Sequence, residues 1–195
     1  MTEPLTATRI AAAVRRIHGK IDGIREELDA ADRVLGDGDT GMTVASVVAA
    51  WNGALASEHS DVAAMLQHLG RETRRATGSS LGSVIAMGLI AAGKTGGASP
   101  AAMLDAATAA ITQRAGAAAG DKTILDSLLA MREAIAEQRS AVDAAREALD
   151  DFRFREAKIG RARIYGAKSV GHDDPGMLAA LLLLRAAQSE GGDIE

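Results

Sequence analysis

The sequence predicts an all-α protein, and three observations support this fold class. Alanine and leucine are the dominant apolar residues, and both favour helices because they lose little side-chain freedom there. β-branched residues are sparse and aromatic residues make up only 2% of the chain, so strand-forming residues are few. No segment sustains the alternation of apolar and polar residues that indicates a half-buried strand.

The first three helices are predicted from apolar spacing and an N-cap. Apolar residues recur every three or four positions between Ile10 and Leu28, so one long helix is expected from about Leu5 into an acidic segment. A second helix is predicted over residues 42–56. A third begins at Asp61, because a carboxylate there can accept the free N–H groups of the first turn.

Serine, glycine and proline mark the later helices. A fourth helix opens at Ser79 and Ser80, and Pro100 suits the first turn of a fifth because its missing N–H has no helical partner there. The expected ranges are about 80–93, 100–117, 140–156 and 175–187, and a further helix begins at residues 120–123. Asp174 is the expected N-cap of the last helix, and a glycine-punctuated loop is expected over 160–174. Eight helices result, and residues 191–195 are expected to form a frayed tail.

Length and composition limit the possible domain organisation and binding partners. With 195 residues the chain is long enough for one domain, residues 1–195, with a sizeable core. A net charge of -4 with dispersed basic residues offers no dense basic patch, so nucleic acid is not expected as a partner. The absence of cysteine excludes disulfides and thiolate metal sites. The first twenty residues hold no apolar run of signal length, so a soluble, cytoplasmic protein without membrane contact is expected.

The most informative segment is residues 35–43, Leu-Gly-Asp-Gly-Asp-Thr-Gly-Met-Thr, which we call the acidic loop. Asp37 and Asp39 alternate around Gly38, and Asp32 lies about one helical turn earlier. Three carboxylates so close together repel one another, so a hard cation is expected to neutralise them. The alternative to a metal site is a solvated turn in which these residues simply end a helix. The sequence favours a magnesium site, and such sites usually serve a phosphate ligand.

Two other segments are candidate phosphate sites. Residues 88–95, Gly-Leu-Ile-Ala-Ala-Gly-Lys-Thr, match the P-loop pattern, but that pattern requires a preceding strand and here a helix is predicted. Gly93 is therefore interpreted as a helix end. Residues 77–82, Thr-Gly-Ser-Ser-Leu-Gly, are the better candidate, since small residues at a helix start leave N–H groups for an anion. Most such segments are ordinary N-caps.

The motifs follow one another in an order that resembles a known family. After Asp32 and the acidic loop come Gly78-Ser79-Ser80, Gly120-Asp121-Lys122-Thr123, Gly160-Arg161-Ala162 and Gly171-His172-Asp173-Asp174-Pro175-Gly176. This series resembles the nucleotide-binding subunit of dihydroxyacetone kinase, the DhaL or DAK2 domain, over nearly the whole chain. The resemblance implies an eight-helix antiparallel barrel. It also implies binding of ADP or ATP with two magnesium ions and transfer of phosphate to dihydroxyacetone or a similar short keto-sugar.

The resemblance further implies which residues form the site. Asp32, Asp37 and Asp39 would ligate the magnesium ions. The residues expected to bind the nucleotide are Thr40, Gly41, Met42, Thr43, Ser79, Ser80, Gly120, Leu129, Arg161, Asp174, Pro175 and Gly176. No nucleophile is expected from this chain, because phosphoryl transfer depends on positioning and charge neutralisation.

The partners implied by the resemblance are separate polypeptides. A DhaK-like subunit would hold the keto-sugar, and a DhaM-like phosphocarrier of the phosphotransferase system could rephosphorylate a bound nucleotide; a homodimer is also left open. Many dihydroxyacetone kinase subunits have histidine where this chain has Thr40, whereas the nucleotide domain of fatty acid kinases often has threonine. The acceptor therefore stays open between dihydroxyacetone, erythrulose, another small sugar and a fatty acyl group. The alternative from another functional class is a non-catalytic adaptor that senses nucleotide and binds a regulator.

Overall fold

The structure, a computed structural model, describes residues 5–57, 59, 61–97 and 99–188. Every regular element in this part of the chain is a helix, so the all-α prediction is confirmed. In chain order the elements are α1 (Ala7–Gly19), α2 (Ile21–Leu35), α3 (Thr40–Ala54), α4 (Val62–Ala76), α5 (Ser80–Gly93), α6 (Pro100–Ala115), α7 (Ile124–Ala136), α8 (Ala141–Arg153), a 3-10 helix (Ala162–Ser169) and α9 (Pro175–Ala187). The tail predicted over residues 191–195 lies outside the described residues.

The helix count differs from the expected eight because the predicted first helix is two helices. The backbone leaves helical geometry at Lys20 (φ -109°, ψ 6°), whose N–H turns to the carbonyl of Ile17. Gly19, just before the break, has a low intrinsic helix propensity. The apolar stripe nevertheless continues, since Ile17 and Ile24 are both buried. Because the apolar spacing is continuous, it predicted one helix where the structure has two, α1 and α2.

The segment predicted as a loop over 160–174 also contains regular structure. Its centre is the 3-10 helix, which is kinked at Gly166, where φ is 52°. Glycine adopts this left-handed conformation without the steric penalty of a β-carbon. Short 3-10 turns carry no long periodic stripe, so the sequence pattern does not reveal them.

The helices form a ring around a shared core. Each helix from α3 to α8 packs against the next one along the chain, and α9 packs against α7 and α8 as well as α1 and α2. The core side chains Leu28, Val44, Val48 and Met177, from α2, α3 and α9, are all fully buried. None of the helices in the described ranges combines the length and the hydropathy needed to cross a membrane.

The segment that matches the P-loop pattern is the end of α5. A helix precedes it and Lys94 caps that helix through its backbone N–H, so the interpretation of Gly93 as a helix end is correct. A β-carbon at Gly93 would lie 2.8 Å from the carbonyl oxygen of Ala63 in α4. The glycine thus allows α4 and α5 to pack closely, which accounts for the pattern without any phosphate.

Candidate functional site

A cavity of about 350 Å³ lies where the ends of several helices meet. The first turns of α3, α5, α7 and α9 border it, through Thr40, Ser80, Ile124 and Gly176 respectively. A helix N-terminus carries a partial positive charge, so four converging N-termini favour an anionic ligand. This convergence depends on the packing of helices that are far apart in the sequence.

Asp32, in the last turn of α2, organises the acidic loop. Its Oδ2 accepts the backbone N–H groups of Gly38, Asp39 and Thr40 at 3.0, 2.9 and 3.2 Å. Gly36 permits this close wrapping, because a β-carbon there would lie 2.1 Å from Asp32 Oδ1. The loop is therefore folded around one buried carboxylate.

The three aspartates predicted as metal ligands lie together. One oxygen from each of Asp32, Asp37 and Asp39 falls within 4.8 Å of the others. Asp32 is buried, whereas the other two carboxylates are exposed. Arg161 forms an ion pair with Asp37 and lies 3.7 Å from Asp39 Oδ1. A donor set made only of carboxylate oxygens fits a hard cation such as Mg²⁺.

Asp29 is a residue of this region that the sequence analysis missed. Its Oδ1 accepts the N–H groups of Gly41 and Met42 at 2.8 and 3.3 Å, so it holds the first turn of α3 against α2. A β-carbon at Gly41 would lie 2.1 Å from the backbone oxygen of Arg25, which makes glycine necessary for this contact. The sequence feature that could have pointed to Asp29 is its spacing from Asp32, because residues three apart lie on the same face of a helix.

The start of α5 has backbone donors in residues that line the cavity. Thr77 Oγ1 accepts the N–H of Ser79, and Ser79 Oγ accepts the N–H of Gly82 at 3.0 Å. Within the described hydrogen bonds, the N–H groups of Ser80 and Leu81 have no acceptor, and both residues line the cavity. By contrast, the first N–H groups of α3 are taken by Asp29 and Asp32. The start of α5 is therefore the better anion site of the two.

The other end of the cavity is apolar. It is lined by Val84, Ile111, Ala115, Ala117 and Ile159. Ile111 and Ala117 belong to a small buried cluster with Leu125, and Leu129 packs against that cluster. The cavity thus has one charged end and one apolar end, a combination typical of pockets for amphipathic small molecules.

Asp174 is the N-cap of α9 and borders the cavity. Its Oδ1 accepts the N–H of Met177 at 2.8 Å. Burial raises the pKa of Asp174 to about 6, although the N–H groups of Met177 and Gly176 and the ammonium of Lys122 all act in the opposite direction. The folded structure therefore disfavours the ionised form of the Asp174 carboxyl group.

Asp174→Asn should stabilise the fold more at pH 8 than at pH 5. The folded pKa of about 6 lies above the ordinary 3.8, so the stability contributed by the protonated carboxyl falls as pH rises through 6. Asparagine keeps the N-cap and does not ionise. The advantage of the variant, measured by urea unfolding at both pH values, should be about 1 kcal/mol larger at pH 8. A difference independent of pH would contradict the raised pKa.

Most of the residues predicted to bind metal or nucleotide border the cavity. Those that line it are Asp32, Asp39, Thr40, Thr43, Ser79, Ser80, Arg161, Asp174, Pro175 and Gly176. Five predicted residues lie beside it instead. Asp37 pairs with Arg161, Gly41 packs on α2, Met42 is 58% exposed, Gly120 donates its N–H to Asp126, and Leu129 packs behind the apolar end.

Several lining residues were not predicted. They are Leu35, Leu81, Val84, Ile111, Ala115, Ala117, Thr123, Ile124, Ile159, Gly160 and Ala162. Most are apolar or small, and in a helical sequence such residues look like ordinary core positions. A signal was offered only by those that lie in the segments singled out from the sequence, namely Leu35, Leu81, Thr123, Gly160 and Ala162.

A comparison with known families decides the classification. Residues 34–189 match the DAK2 domain. The chain belongs to the DAK2 domain family. This DAK2 domain is 35% identical over 179 residues to the L-erythrulose 1-kinase of Mycolicibacterium smegmatis, covering 82% of this chain and 31% of that protein. It is 31% identical over 196 residues to the triokinase/FMN cyclase of Homo sapiens, covering 91% of this chain and 34% of that protein.

A solved structure shares the fold. The crystal structure of the dihydroxyacetone kinase from C. freundii in complex with AMP-PNP and Mg²⁺ matches the DAK2 domain with a TM-score of 0.76 at 24% identity. The match covers 95% of this chain and 34% of that chain. The barrel of the DhaL type expected from the sequence is therefore confirmed as a fold. The chain spans about a third of the length of these relatives.

Proposed function

We propose that this DAK2 domain binds ADP or ATP with magnesium and supplies phosphate to a short keto-sugar held on a DhaK-like domain or subunit. The observation that carries the proposal is the cluster of Asp32, Asp37 and Asp39 oxygens within 4.8 Å, at a cavity bordered by helix N-termini. Carboxylates alone repel phosphate, whereas carboxylates that hold a divalent cation attract it. The complex of the C. freundii kinase with AMP-PNP and Mg²⁺ supports the same ligands here.

The charge of the cluster favours two magnesium ions. Asp32, Asp37 and Asp39 supply three negative charges, so one divalent ion leaves the cluster negative and two leave it positive. The net positive cluster attracts a diphosphate or triphosphate more strongly than the net negative one. Bound magnesium would neutralise phosphate oxygens and orient the terminal phosphoryl group.

The chain's own groups complement the phosphates and the base. Ser80 and Leu81 line the cavity and have N–H groups, free of acceptors among the described residues, that suit phosphate oxygens, and the guanidinium of Arg161 adds a fixed positive charge. At the far end, the walls formed by Val84, Ile111 and other apolar residues can bury an adenine ring. This polarity orients the nucleotide with its phosphates at the acidic loop.

Arg161→Ala should weaken Mg-ADP binding about tenfold, since a charge-assisted hydrogen bond to phosphate is lost. Without nucleotide the same variant should bind Mg²⁺ more tightly, because Arg161 no longer pairs with Asp37. Both affinities can be measured by calorimetry. Arg163→Ala is the matched control, an exposed arginine two residues along the same segment. Equal effects of the two substitutions would contradict this role of Arg161.

The relatives support a small keto-sugar as the acceptor. They include kinases of L-erythrulose, D-erythrulose and dihydroxyacetone, and this chain spans only about a third of each. The acceptor would therefore lie on a polypeptide segment that corresponds to the other two thirds. Exposed apolar side chains within three positions of lining residues, namely Val34, Met42, Ile164 and Tyr165, suit the docking of such a partner.

A transfer assay tests the proposed reaction. The purified chain, MgATP, a DhaK-like subunit and each candidate sugar are combined, and the phosphorylated sugar is measured. We expect product only when all four are present, and the ranking of sugars identifies the acceptor. Tight nucleotide binding with no transfer in any combination would contradict the kinase role and favour the nucleotide-sensing adaptor.

A further inference from the structure

Lys122 is a buried lysine that the proposed reaction does not use. Its side chain is only 1% exposed, and its Nζ donates to the backbone oxygens of Arg153, Arg155 and Ser169 at 3.3, 2.9 and 2.8 Å. All three donors of the ammonium group are thus occupied. Lys122 also has a φ of 63°, a conformation that non-glycine residues adopt only when the surrounding structure enforces it. Burial and strain at one residue indicate a specific role.

Two of the three carbonyl groups that accept hydrogen bonds from this ammonium group lie at the ends of helices. Arg153 is the last residue of α8, and Ser169 is the last residue of the 3-10 helix. Helix ends have carbonyl groups without helical partners and a partial negative charge, so a cation stabilises them. Two further hydrogen bonds join the same two segments of the chain. Gly171 donates its N–H to Arg153 O at 2.8 Å, and Ser169 Oγ accepts the N–H of Ala157 at 2.9 Å.

These contacts close the base of a long excursion of the chain, residues 154–168, which we call the arginine loop. Its tip reaches the candidate site, since Ile159, Gly160, Arg161 and Ala162 line the cavity. Compact loops of this length whose two ends lie close together are frequently functional. Lys122 itself is adjacent to Thr123, another lining residue, so it connects the base of the loop to the cavity wall.

We propose that Lys122 is a positioning residue that fixes the arginine loop and thereby holds Arg161 against the acidic loop. The inference rests on the proposed nucleotide function. Lys122 does not line the cavity, and its Nζ hydrogen bonds all go to backbone oxygens at the base of the loop, so it acts on Arg161 through the backbone. A lysine that only stabilised the fold would not single out Arg161.

A double-mutant cycle tests the proposal. Lys122→Met keeps the length of the side chain and removes its charge and its donors. Affinity for Mg-ADP is measured for the wild type, Lys122→Met, Arg161→Ala and the double variant. We expect about a tenfold loss in each single variant and little further loss in the double variant, because residues that act as one unit are not additive. Lys168→Met, an exposed lysine of the same segment, is the control and should bind normally.

Hydrogen exchange supplies a readout that does not depend on nucleotide. In Lys122→Met without ligands, amides of residues 154–168 should exchange faster while the core of α3 and α9 stays protected. Additive losses, or exchange unchanged over the arginine loop, would overturn the positioning role. If the wild type binds no nucleotide, the proposed function fails while this exchange measurement still decides the role of Lys122. Should Lys122→Met not fold, Lys122→Gln replaces it: its shorter, uncharged amide has two donors instead of three, so smaller losses of affinity and protection in the same direction are expected. Unchanged affinity and unchanged exchange in Lys122→Gln would overturn the proposal.

Discussion

Asp37→Asn and Asp39→Asn should each lower the affinity for Mg-ADP by about 100-fold or more. Each change removes one of the three carboxylates whose oxygens lie within 4.8 Å, so the magnesium ions lose a charged ligand. Without magnesium the same substitutions should leave the stability unchanged or slightly higher, because they relieve repulsion between like charges and the exposed ion pair of Asp37 with Arg161 contributes little. Equilibrium dialysis with labelled ADP measures the affinity, and urea unfolding measures the stability.

Asp22→Asn is the matched control for these variants. Asp22 is an exposed aspartate in the first turn of α2, the helix that carries Asp32 in its last turn. The control should bind Mg-ADP normally. If Asp37→Asn and Asp39→Asn also bound normally, or if all three variants lost affinity equally, the acidic loop would not be the metal site.

Gly41→Ala should destabilise the fold by about 3 kcal/mol and lower Tm by roughly 6 to 12 °C. The new β-carbon would meet the backbone oxygen of Arg25 at 2.1 Å and Asp29 Oδ1 at 2.5 Å. Neither atom can move cheaply, since one is helix backbone and the other holds the N–H groups of Gly41 and Met42. Thermal unfolding followed by circular dichroism measures the change.

Gly53→Ala provides the comparison within the same helix. A β-carbon at Gly53 would meet nothing within 4 Å, and the position is exposed. Alanine there should stabilise α3 by up to about 1 kcal/mol, because it has the higher helix propensity. Similar Tm values for the two variants would contradict the close approach of α3 to α2 at Gly41.

Local signals in the sequence accounted for much of the fold. The N-caps at Asp61, Ser79 and Asp174 and the first-turn proline at Pro100 all mark observed helix starts. These signals depend on a few adjacent residues, which the sequence displays directly. The helix break at Lys20 was not predicted, because the apolar stripe continues across it.

The candidate site was predictable where its chemistry is charged and local, as in the acidic loop. Its other half depends on tertiary packing. Ile111 and Val84 look like core residues until α5 and α6 are seen to border a cavity. Likewise, Lys122 reads as a solvated lysine in the sequence, whereas the structure buries it against carbonyl groups more than thirty residues away. No spacing rule reveals contacts of this kind.

Native mass spectrometry of the purified chain tests the central claim most directly, because it reports nucleotide and metal together. With ADP and Mg²⁺ present, we expect a mass increase of one ADP and two magnesium ions, which disappears with a chelator and in Asp37→Asn. ADP retained through purification would favour a bound carrier, whereas ADP lost on washing would favour a consumed substrate. The absence of any ADP adduct with Mg²⁺, or an adduct of equal strength in the presence of the chelator, would contradict the account.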